Sequence, residues 1–432
     1  MSLIPRKKSE KAFNNFLLAH YERALRRKRV TSRPFMLLLD PSSLCQLQCP
    51  VCPTGLENAG EVGHGRAFYR SGRTLLRRDL FTRIIDELGD YLFFVQLYNW
   101  GEPLLNPELN HFIAELGRRD IAVAIHSNLS LPLSDEALTG LIENGTDRIE
   151  ASIDGFSQES YARYRRKGRF QLARDNLVRL AEIRDRLGAE TRIVWNFLLF
   201  RFNEHEADTA DAFCRERGIE FVRREAAIFE HQREEFLPSH RRGEPTDDFF
   251  ALQARPFEPQ TISSRPEQSC GWHYFYSAIN ADGSLSPCCA PWESDWDFGR
   301  ITTTGNGFAD IWNGPEFQAS RRDVSGRLLL EELRSSGELT GINTIQDLLK
   351  QGTICQGCQL PPGVRELYSH LADAVVTFYR QHTAERNTLL NRAFERLRPQ
   401  AVGTTFLNRA FELVRSQPQE FVRHYRRVAE DD

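Results

Sequence analysis

The sequence lacks any long hydrophobic run and any excess of charge of one sign. None of its apolar stretches approaches the roughly 20 residues that a membrane-spanning helix needs, which excludes a transmembrane protein. The apolar run at residues 16–19 is also too short for the core of a secretory signal peptide, so we expect a cytosolic protein. Its 56 Lys and Arg residues nearly balance 59 Asp and Glu residues, giving a net charge of −3. This balance argues against a nucleic-acid-binding protein.

The chain is nevertheless long and of ordinary globular composition. Its 432 residues include 41% hydrophobic and 27% charged residues, which predicts two or three folded domains. Nine cysteines are present, and they occur in clusters. In a reducing cytosol, clustered cysteines favour metal ligation over disulfide formation.

Short apolar runs alternate with amphipathic segments from residue 35 onwards, which predicts a parallel α/β sheet. The predicted strands are residues 35–39, 92–97, 122–125, 148–153, 191–200 and 219–223. The predicted helices are residues 79–88, 107–118, 134–143, 171–187 and 204–217. Periodicity alone does not distinguish an open sheet from a partial barrel.

Three cysteines follow the first predicted strand directly. Cys45, Cys49 and Cys52 form a C-x3-C-x2-C group. A structural zinc site needs four protein ligands, whereas three thiolates leave one position open. Thiolate ligation also suits iron–sulfur clusters, and a cluster held by three cysteines retains one iron that can bind a substrate or cofactor. The carboxyl ends of strands are where α/β active sites form.

This cysteine group resembles the signature of the radical S-adenosylmethionine (SAM) superfamily. A second element, Gly101-Glu102-Pro103, is similar to the GGEP motif of that family, although Trp100 replaces the first glycine. The resemblance implies a partial (β/α)6 TIM barrel and a 4Fe–4S cluster on the three cysteines, with SAM bound to its open iron. It also implies an electron donor such as flavodoxin or ferredoxin.

Further residues are implied as SAM contacts by the same resemblance. The Ser152-Ile153-Asp154-Gly155 segment is similar to the SxDG stretch of peptide- and small-molecule-modifying members. The implied cofactor-binding residues are Gly101, Glu102 and Pro103 at the SAM amino group, Ser127 and Asn128 near the ribose, Ser152 and Asp154 in the SxDG stretch, Arg165 as a carboxylate partner, and Val51 at the adenine.

A second cysteine group lies further along the chain. Cys270, Gly283 and Cys288 share the spacing that opens SPASM and twitch domains, and a Cys355-x2-Cys358 pair follows. The resemblance implies one auxiliary 4Fe–4S cluster closed by Cys270, Cys288, Cys355 and Cys358. The alternative is a structural zinc site on the same four thiolates. Cys289 is either a spare thiol or a competing ligand.

These features divide the chain into five predicted parts: a basic N-terminal helix (1–33), the radical SAM partial barrel (34–230), a linker (231–268), a small twitch-like auxiliary-cluster domain (269–364) with a helical insertion near 327–350, and a helical C-terminal tail (365–432). Residues 1–30 carry nine Lys or Arg against two Glu, a local charge of +7. They either cover the barrel as a solvated helix or make a weak contact with an anionic membrane surface.

The predicted function is that of a radical SAM oxidoreductase or maturase. Residues 1–33 are too short for a peptide-docking segment, which favours a small-molecule, sugar or lipid-linked substrate. The alternatives are a peptide- or protein-modifying maturase and a non-enzymatic iron–sulfur or zinc scaffold. Candidate substrate contacts are the polar residues of the presumed strands, namely Gln96, Tyr98, His126, Glu150, Asn196, Arg223 and Glu225.

Overall fold

The computed structural model describes residues 9–24, 27–60, 74–225, 233–241, 272–289, 291 and 294–321. The predicted helical insertion, the C-terminal helices and most of the linker therefore lie outside the described residues, as do Cys270, Cys355 and Cys358.

One mostly parallel sheet forms the framework. Its strands are β1 (Met36–Leu39), β2 (Phe94–Leu97), β3 (Ala122–Ser127), β4 (Arg148–Ser152), β5 (Arg192–Leu199), β6 (Glu220–Glu225), β7 (Tyr276–Ile279) and β8 (Leu285–Ser286). They follow the order β6-β5-β4-β3-β2-β1-β7-β8, and only the β7–β8 pair is antiparallel. Within the described residues the sheet does not close on itself, because β6 and β8 are its two ends. This arrangement confirms the predicted partial α/β barrel.

Eleven helices of the described residues accompany this sheet. They are α1 (Glu10–Ala24), α2 (Pro53–Ala59), α3 (Arg78–Leu88), α4 (Leu109–Arg118), α5 (Asp135–Glu143), α6 (Gln158–Tyr164), α7 (Phe170–Leu187), α8 (Ala207–Arg215), α9 (Arg233–Phe236), α10 (Trp272–Phe275) and α11 (Phe308–Trp312). The rings of Phe81 in α3 and Phe112 in α4 stack at 4.2 Å in the core. None of the helices in the described ranges is long and apolar enough to cross a membrane.

Two seven-residue helices of the barrel region and two strands are among the elements that were not predicted from the sequence. Helices α2 and α6 have seven residues each, too few for a visible hydrophobic period. Local caps begin them instead: Pro53 is the first residue of α2, and the Ser157 hydroxyl accepts a hydrogen bond from the Ser160 amide at 3.2 Å. The predicted helix at 204–217 begins later, at Ala207, because residues 204–206 form a 3-10 turn.

The missed strands β7 and β8 belong to the second cysteine region. Strand β7 pairs in parallel with β1, which makes this region a continuation of the barrel sheet. Gly283 lies in the turn between β7 and β8 with φ of +85°, and a Cβ at this position would lie 2.5 Å from the Ile301 carbonyl oxygen. The turn therefore requires glycine, which explains its place in the cysteine–glycine spacing.

The N-terminal helix packs against the barrel. The Phe16 ring lies 4.8 Å from the Phe35 ring and 6.0 Å from the Phe93 ring, centroid to centroid. At the end of this segment, the Glu22 carboxylate accepts hydrogen bonds from the Thr31 amide and the Ser32 hydroxyl, both at 2.6 Å. Helix α1 thus has an apolar side buried in the protein core.

Candidate active site at the three-cysteine loop

The loop after β1 carries all three cysteines of the first group. Cys49 is buried, and Cys45 and Cys52 are half-buried. The amide of Cys52 donates a hydrogen bond to the Cys49 carbonyl at 3.2 Å, and Cys52 then caps α2. The first strand and the short helix therefore fix the two ends of the loop.

Two residues of α2 that sequence reasoning missed hold this loop in shape. A Cβ at Gly55 would lie 2.3 Å from the Cys49 carbonyl oxygen and 2.4 Å from its amide nitrogen, so only glycine fits there. The Asn58 amide donates to the carbonyls of Cys45 and Leu47, both at 2.7 Å. The sequence signals that could have pointed to these two roles are the glycine and the asparagine that follow the third cysteine, Gly55 and Asn58.

Glu102 lies beneath the loop as the centre of a buried hydrogen-bond network. Its carboxylate accepts from the Ser127 hydroxyl at 2.7 Å, the Asn128 amide at 2.8 Å and the Leu104 amide at 3.1 Å. Burial raises the pKa of Glu102 in spite of these bonds, which favour the ionised form. Glu102, Ser127 and Asn128, predicted separately as SAM contacts, are thus brought together.

The neighbours of Glu102 explain the Gly-Glu-Pro sequence. A Cβ at Gly101 would lie 1.6 Å from the Ser42 carbonyl oxygen, so a side chain is excluded. Trp100 occupies the position of the first glycine of the motif. Its carbonyl accepts a hydrogen bond from the Thr54 hydroxyl at 2.9 Å. Pro103 begins a short 3-10 helix.

A buried ion pair reaches Cys49 from the opposite side. Arg165 donates from Nε to Asp154 Oδ2 at 2.5 Å, and its Nη1 lies 3.9 Å from the Cys49 sulfur. Asp154 also accepts from the Leu198 amide at 2.8 Å. Burial raises the pKa of Asp154, and Arg165 opposes that rise. The carboxylate partner of Arg165 in the structure is therefore Asp154.

The remaining predicted SAM contacts lie at the rim of this site. Ser152 ends β4 and is half-buried, in register with Asn196 of β5. Val51 is buried in a small apolar cluster around Cys49. The other buried members of that cluster are Leu47, Tyr164, Phe200, Phe236 and Leu237.

The donor set fits an iron–sulfur cluster better than a single metal ion. In the described part of the chain, no three His, Cys, Asp or Glu side chains converge on one ion position. A cluster differs in this respect, because each cysteine binds a different iron. Burial raises the pKa of Cys49 to about 12, and burial together with Glu102 raises that of Cys45. Metal ligation would offset this rise in the pKa of both thiols, since a coordinating thiol is deprotonated outright.

Two hydrogen-bond donors point at the cysteine sulfurs. Besides Arg165 at Cys49, the Asn128 side-chain amide lies 3.8 Å from the Cys45 sulfur. Hydrogen bonds to sulfur tune the reduction potential of an iron–sulfur cluster. The residues present therefore fit a 4Fe–4S cluster.

The second cysteine group is described only in part. Cys288 is buried just after β8, and Cys289 is half-buried beside it. The ligand set of this group stays a prediction, because its other three cysteines lie outside the described residues.

The candidate substrate contacts divide between the two faces of the sheet. Gln96, Tyr98, His126, Glu150 and Asn196 meet inside the barrel, with Arg148 and Arg224 among them. Arg223 and Glu225 lie apart from this group. Arg223 pairs with Asp208 of α8 at 2.6 Å, and Glu225 lies 2.9 Å from His240.

Comparisons with known proteins identify both cysteine regions. The radical SAM superfamily matches residues 39–212, and SPASM, described as an iron–sulfur cluster-binding domain, matches residues 270–359. The second match begins at Cys270 and includes Cys288, Cys355 and Cys358.

The individual proteins that the chain resembles share only a small part of its sequence. A tungsten-containing aldehyde ferredoxin oxidoreductase cofactor-modifying protein of Pyrococcus furiosus is 30% identical over 120 residues, which are 27% of this chain and 30% of that protein. A PqqA peptide cyclase of Granulibacter bethesdensis is 24% identical over 315 residues, which are 67% of this chain and 76% of that protein. The structure of Streptococcus suis SuiB bound to S-adenosylmethionine is 14% identical with a TM-score of 0.49, over 67% of this chain and 68% of that one.

Proposed function

Since the chain belongs to the radical SAM superfamily of enzymes, we propose that it modifies a peptide or protein by removing a hydrogen atom from it. SAM and iron–sulfur clusters are its cofactors. When bound, the cluster on the three-cysteine loop supplies the electron that breaks the sulfur–C5′ bond of SAM and releases methionine and a 5′-deoxyadenosyl radical. An electron donor of the flavodoxin or ferredoxin class provides that electron.

Different residues of the chain have different roles in this reaction. Cys45, Cys49 and Cys52 hold the cluster. Glu102 fixes the Ser127–Asn128 turn beside it through three hydrogen bonds to its carboxylate. The apolar cluster around Cys49 excludes water on the side where Arg165 lies.

Similarity to a peptide cyclase over two thirds of the chain is the observation that carries the substrate class. It revises the expectation of a small-molecule, sugar or lipid-linked substrate, which depended on the short segment before the barrel. A docking segment before the barrel affects how a peptide is delivered, but it does not determine what the barrel can hold.

Transfer of deuterium into 5′-deoxyadenosine tests the proposal without knowledge of the substrate. The anaerobically reconstituted enzyme is incubated with SAM, a reductant and an extract of fully deuterated cells of the producing organism. The extract is divided into a peptide and protein fraction and a small-molecule filtrate. We expect deuterated 5′-deoxyadenosine from the first fraction, and we expect protease treatment to abolish it.

Two results would contradict this expectation. Deuterium that comes only from the filtrate and survives protease would return the substrate to the small-molecule class. A wild-type preparation that forms no 5′-deoxyadenosine under any condition would favour the scaffold alternative. The variant with Cys45, Cys49 and Cys52 replaced by Ala is the blank for both measurements.

A further inference from the structure

A charged cluster inside the barrel is centred on Glu150, whose side chain is only 5% exposed. Three cationic or imidazole groups surround this one carboxylate. His126 Nε2 lies 3.3 Å from Oε2, Arg148 Nε lies 2.6 Å from Oε1, and Arg224 Nη2 lies 3.5 Å from Oε2. Despite burial, which acts to raise it, these three partners hold the pKa of Glu150 well below its usual range.

Tyr98 and Gln96 complete one wall of the cluster. The Tyr98 ring stacks on the His126 imidazole with centroids 3.7 Å apart and planes within 10°. Gln96 donates a hydrogen bond to the Tyr98 hydroxyl at 2.6 Å. The imidazole is therefore fixed between a tyrosine ring and a carboxylate.

This cluster adjoins the candidate SAM site within the same barrel interior. Glu150 precedes Ser152 by two residues on β4, and His126, in register with Glu150, lies near the end of β3, which Asn128 follows directly. Residues two apart on a strand share a face and lie about 7 Å apart. A substrate group bound at the charged cluster around Glu150 would thus lie next to the residues expected to contact SAM.

The cluster carries an unbalanced positive charge. Counted without His126, the Glu150 carboxylate and the guanidinium groups of Arg148 and Arg224 sum to +1. Arg224 is the accessible member, since 47% of its side chain is exposed. Its Nε donates to Asn196 Oδ1 at 2.8 Å, while its Nη1 has no hydrogen-bond partner within the described ranges. One edge of the guanidinium is therefore available to a further anion.

We propose that Arg224 binds a carboxylate group of the substrate. A guanidinium presents two parallel N–H groups that match a carboxylate. A carboxylate would add one negative charge beside two guanidinium groups, whose charge exceeds that of Glu150 by one. The carboxylate belongs either to an acidic side chain of a peptide or to a small free acid. The location next to SAM rests on the proposed function.

Binding of three probes to the full reconstituted chain with SAM tests this assignment. The probes are N-acetyl-glutamate amide, its neutral isostere N-acetyl-glutamine amide, and glutarate, each followed by ligand-observed NMR. We expect the wild type to prefer the glutamate probe over the glutamine probe. Arg224→Gln should weaken the binding of the glutamate probe about tenfold or more, since it removes a charge-assisted hydrogen bond.

Arg223→Gln is the matched control, because Arg223 neighbours Arg224 on β6 but pairs with Asp208 on the outer face. This variant should keep the full preference. If Arg224→Gln does not fold by circular dichroism, Arg224→Lys replaces it; it keeps the charge but loses the planar fork, and it should show an intermediate preference. Tighter binding of glutarate than of the glutamate probe identifies a small acid as the source, and the reverse order identifies a peptide side chain.

Two results would overturn the assignment: a wild type that does not distinguish the glutamate and glutamine probes, and an Arg224 variant that retains the whole preference. Formation of 5′-deoxyadenosine by the same wild-type preparation is measured in parallel. A preparation that cleaves SAM but shows no carboxylate preference overturns this inference alone. A preparation that shows the preference but does not cleave SAM overturns only the proposed function.

Discussion

The guanidinium of Arg165 joins the buried Asp154 carboxylate to the sulfur of Cys49. One nitrogen lies 2.5 Å from the carboxylate and another lies 3.9 Å from the sulfur. Asp154 is fully buried, so its charge depends on this one cation. The stability of the fold and the environment of the Cys49 sulfur are therefore coupled through a single side chain.

Replacing Arg165 by Gln should lower the free energy of unfolding by about 3–5 kcal/mol, because it leaves a buried carboxylate without its cation. Adding Asp154→Asn should recover part of that loss. Anaerobic urea denaturation measures both effects. Arg215→Gln is the control: Arg215 is exposed and pairs with Asp211 in the same helix, and its loss should change stability by less than about 1 kcal/mol. Additive effects of the two substitutions would show that Arg165 and Asp154 are not coupled.

Replacing Gly55 by Ala should prevent assembly of the first cluster. The new methyl group would lie within 2.4 Å of the Cys49 backbone nitrogen and would displace the cysteine loop. Gly60→Ala at the end of the same helix is the control, because nothing lies within 4 Å of its Cβ position. Its φ of +70° limits the effect to about 1–2 kcal/mol of stability. Iron content and SAM cleavage distinguish the two; unchanged iron in Gly55→Ala would contradict the packing argument.

Metal analysis should separate the two cysteine groups. Two 4Fe–4S clusters correspond to about eight irons per chain with little zinc. Replacing Cys45, Cys49 and Cys52 by Ala should leave about half of the iron and abolish SAM cleavage. Replacing Cys288 by Ala should instead spare the first cluster. About four irons with one zinc in the wild type would identify the second group as a zinc site.

His273 should make the unfolding free energy dependent on pH. Burial, with a further contribution from Arg321, lowers the pKa of His273 from 6.5 to about 3. Between these values the unfolded chain binds a proton that the folded chain does not. The stability contributed by the neutral ring is therefore complete above pH 6.5 and is lost as pH falls, by about 1.4 kcal/mol per unit. Unfolding curves for the wild type and His273→Gln between pH 7 and 5 measure the difference, and parallel curves would disprove it.

Residues 1–30 should not bind anionic membranes, in spite of their local charge of +7. An interfacial helix needs a free apolar face, but Phe16 and Ala19 of α1 are buried against the barrel. We expect the full chain to stay in the supernatant when it is sedimented with anionic vesicles at low salt. Co-sedimentation that high salt reverses would restore the predicted membrane-surface contact.

The sequence by itself determined the family, the cofactors and the class of fold. Cysteine spacing predicts a cluster loop because all three cysteines lie within eight residues, Cys45 to Cys52, so local chain geometry decides which sulfurs can meet. The apolar runs and the amphipathic helices between them predicted six parallel strands. Strands that are buried on both faces of a sheet are apolar along most of their length, so they stand out in the sequence.

Only the tertiary structure decided which polar residues share a site. Arg223 and Arg224 are neighbours in one strand, but the pairing of β6 with β5 turns the first outward to Asp208 and the second inward to Glu150. A shift of one residue in register would exchange them, and a single sequence does not record register. The contacts of Gly55 with Cys49 and of Asp154 with Arg165 likewise depend on packing. The segments that carry them are too short to show a hydrophobic period, so the contacts form only when the chain is folded.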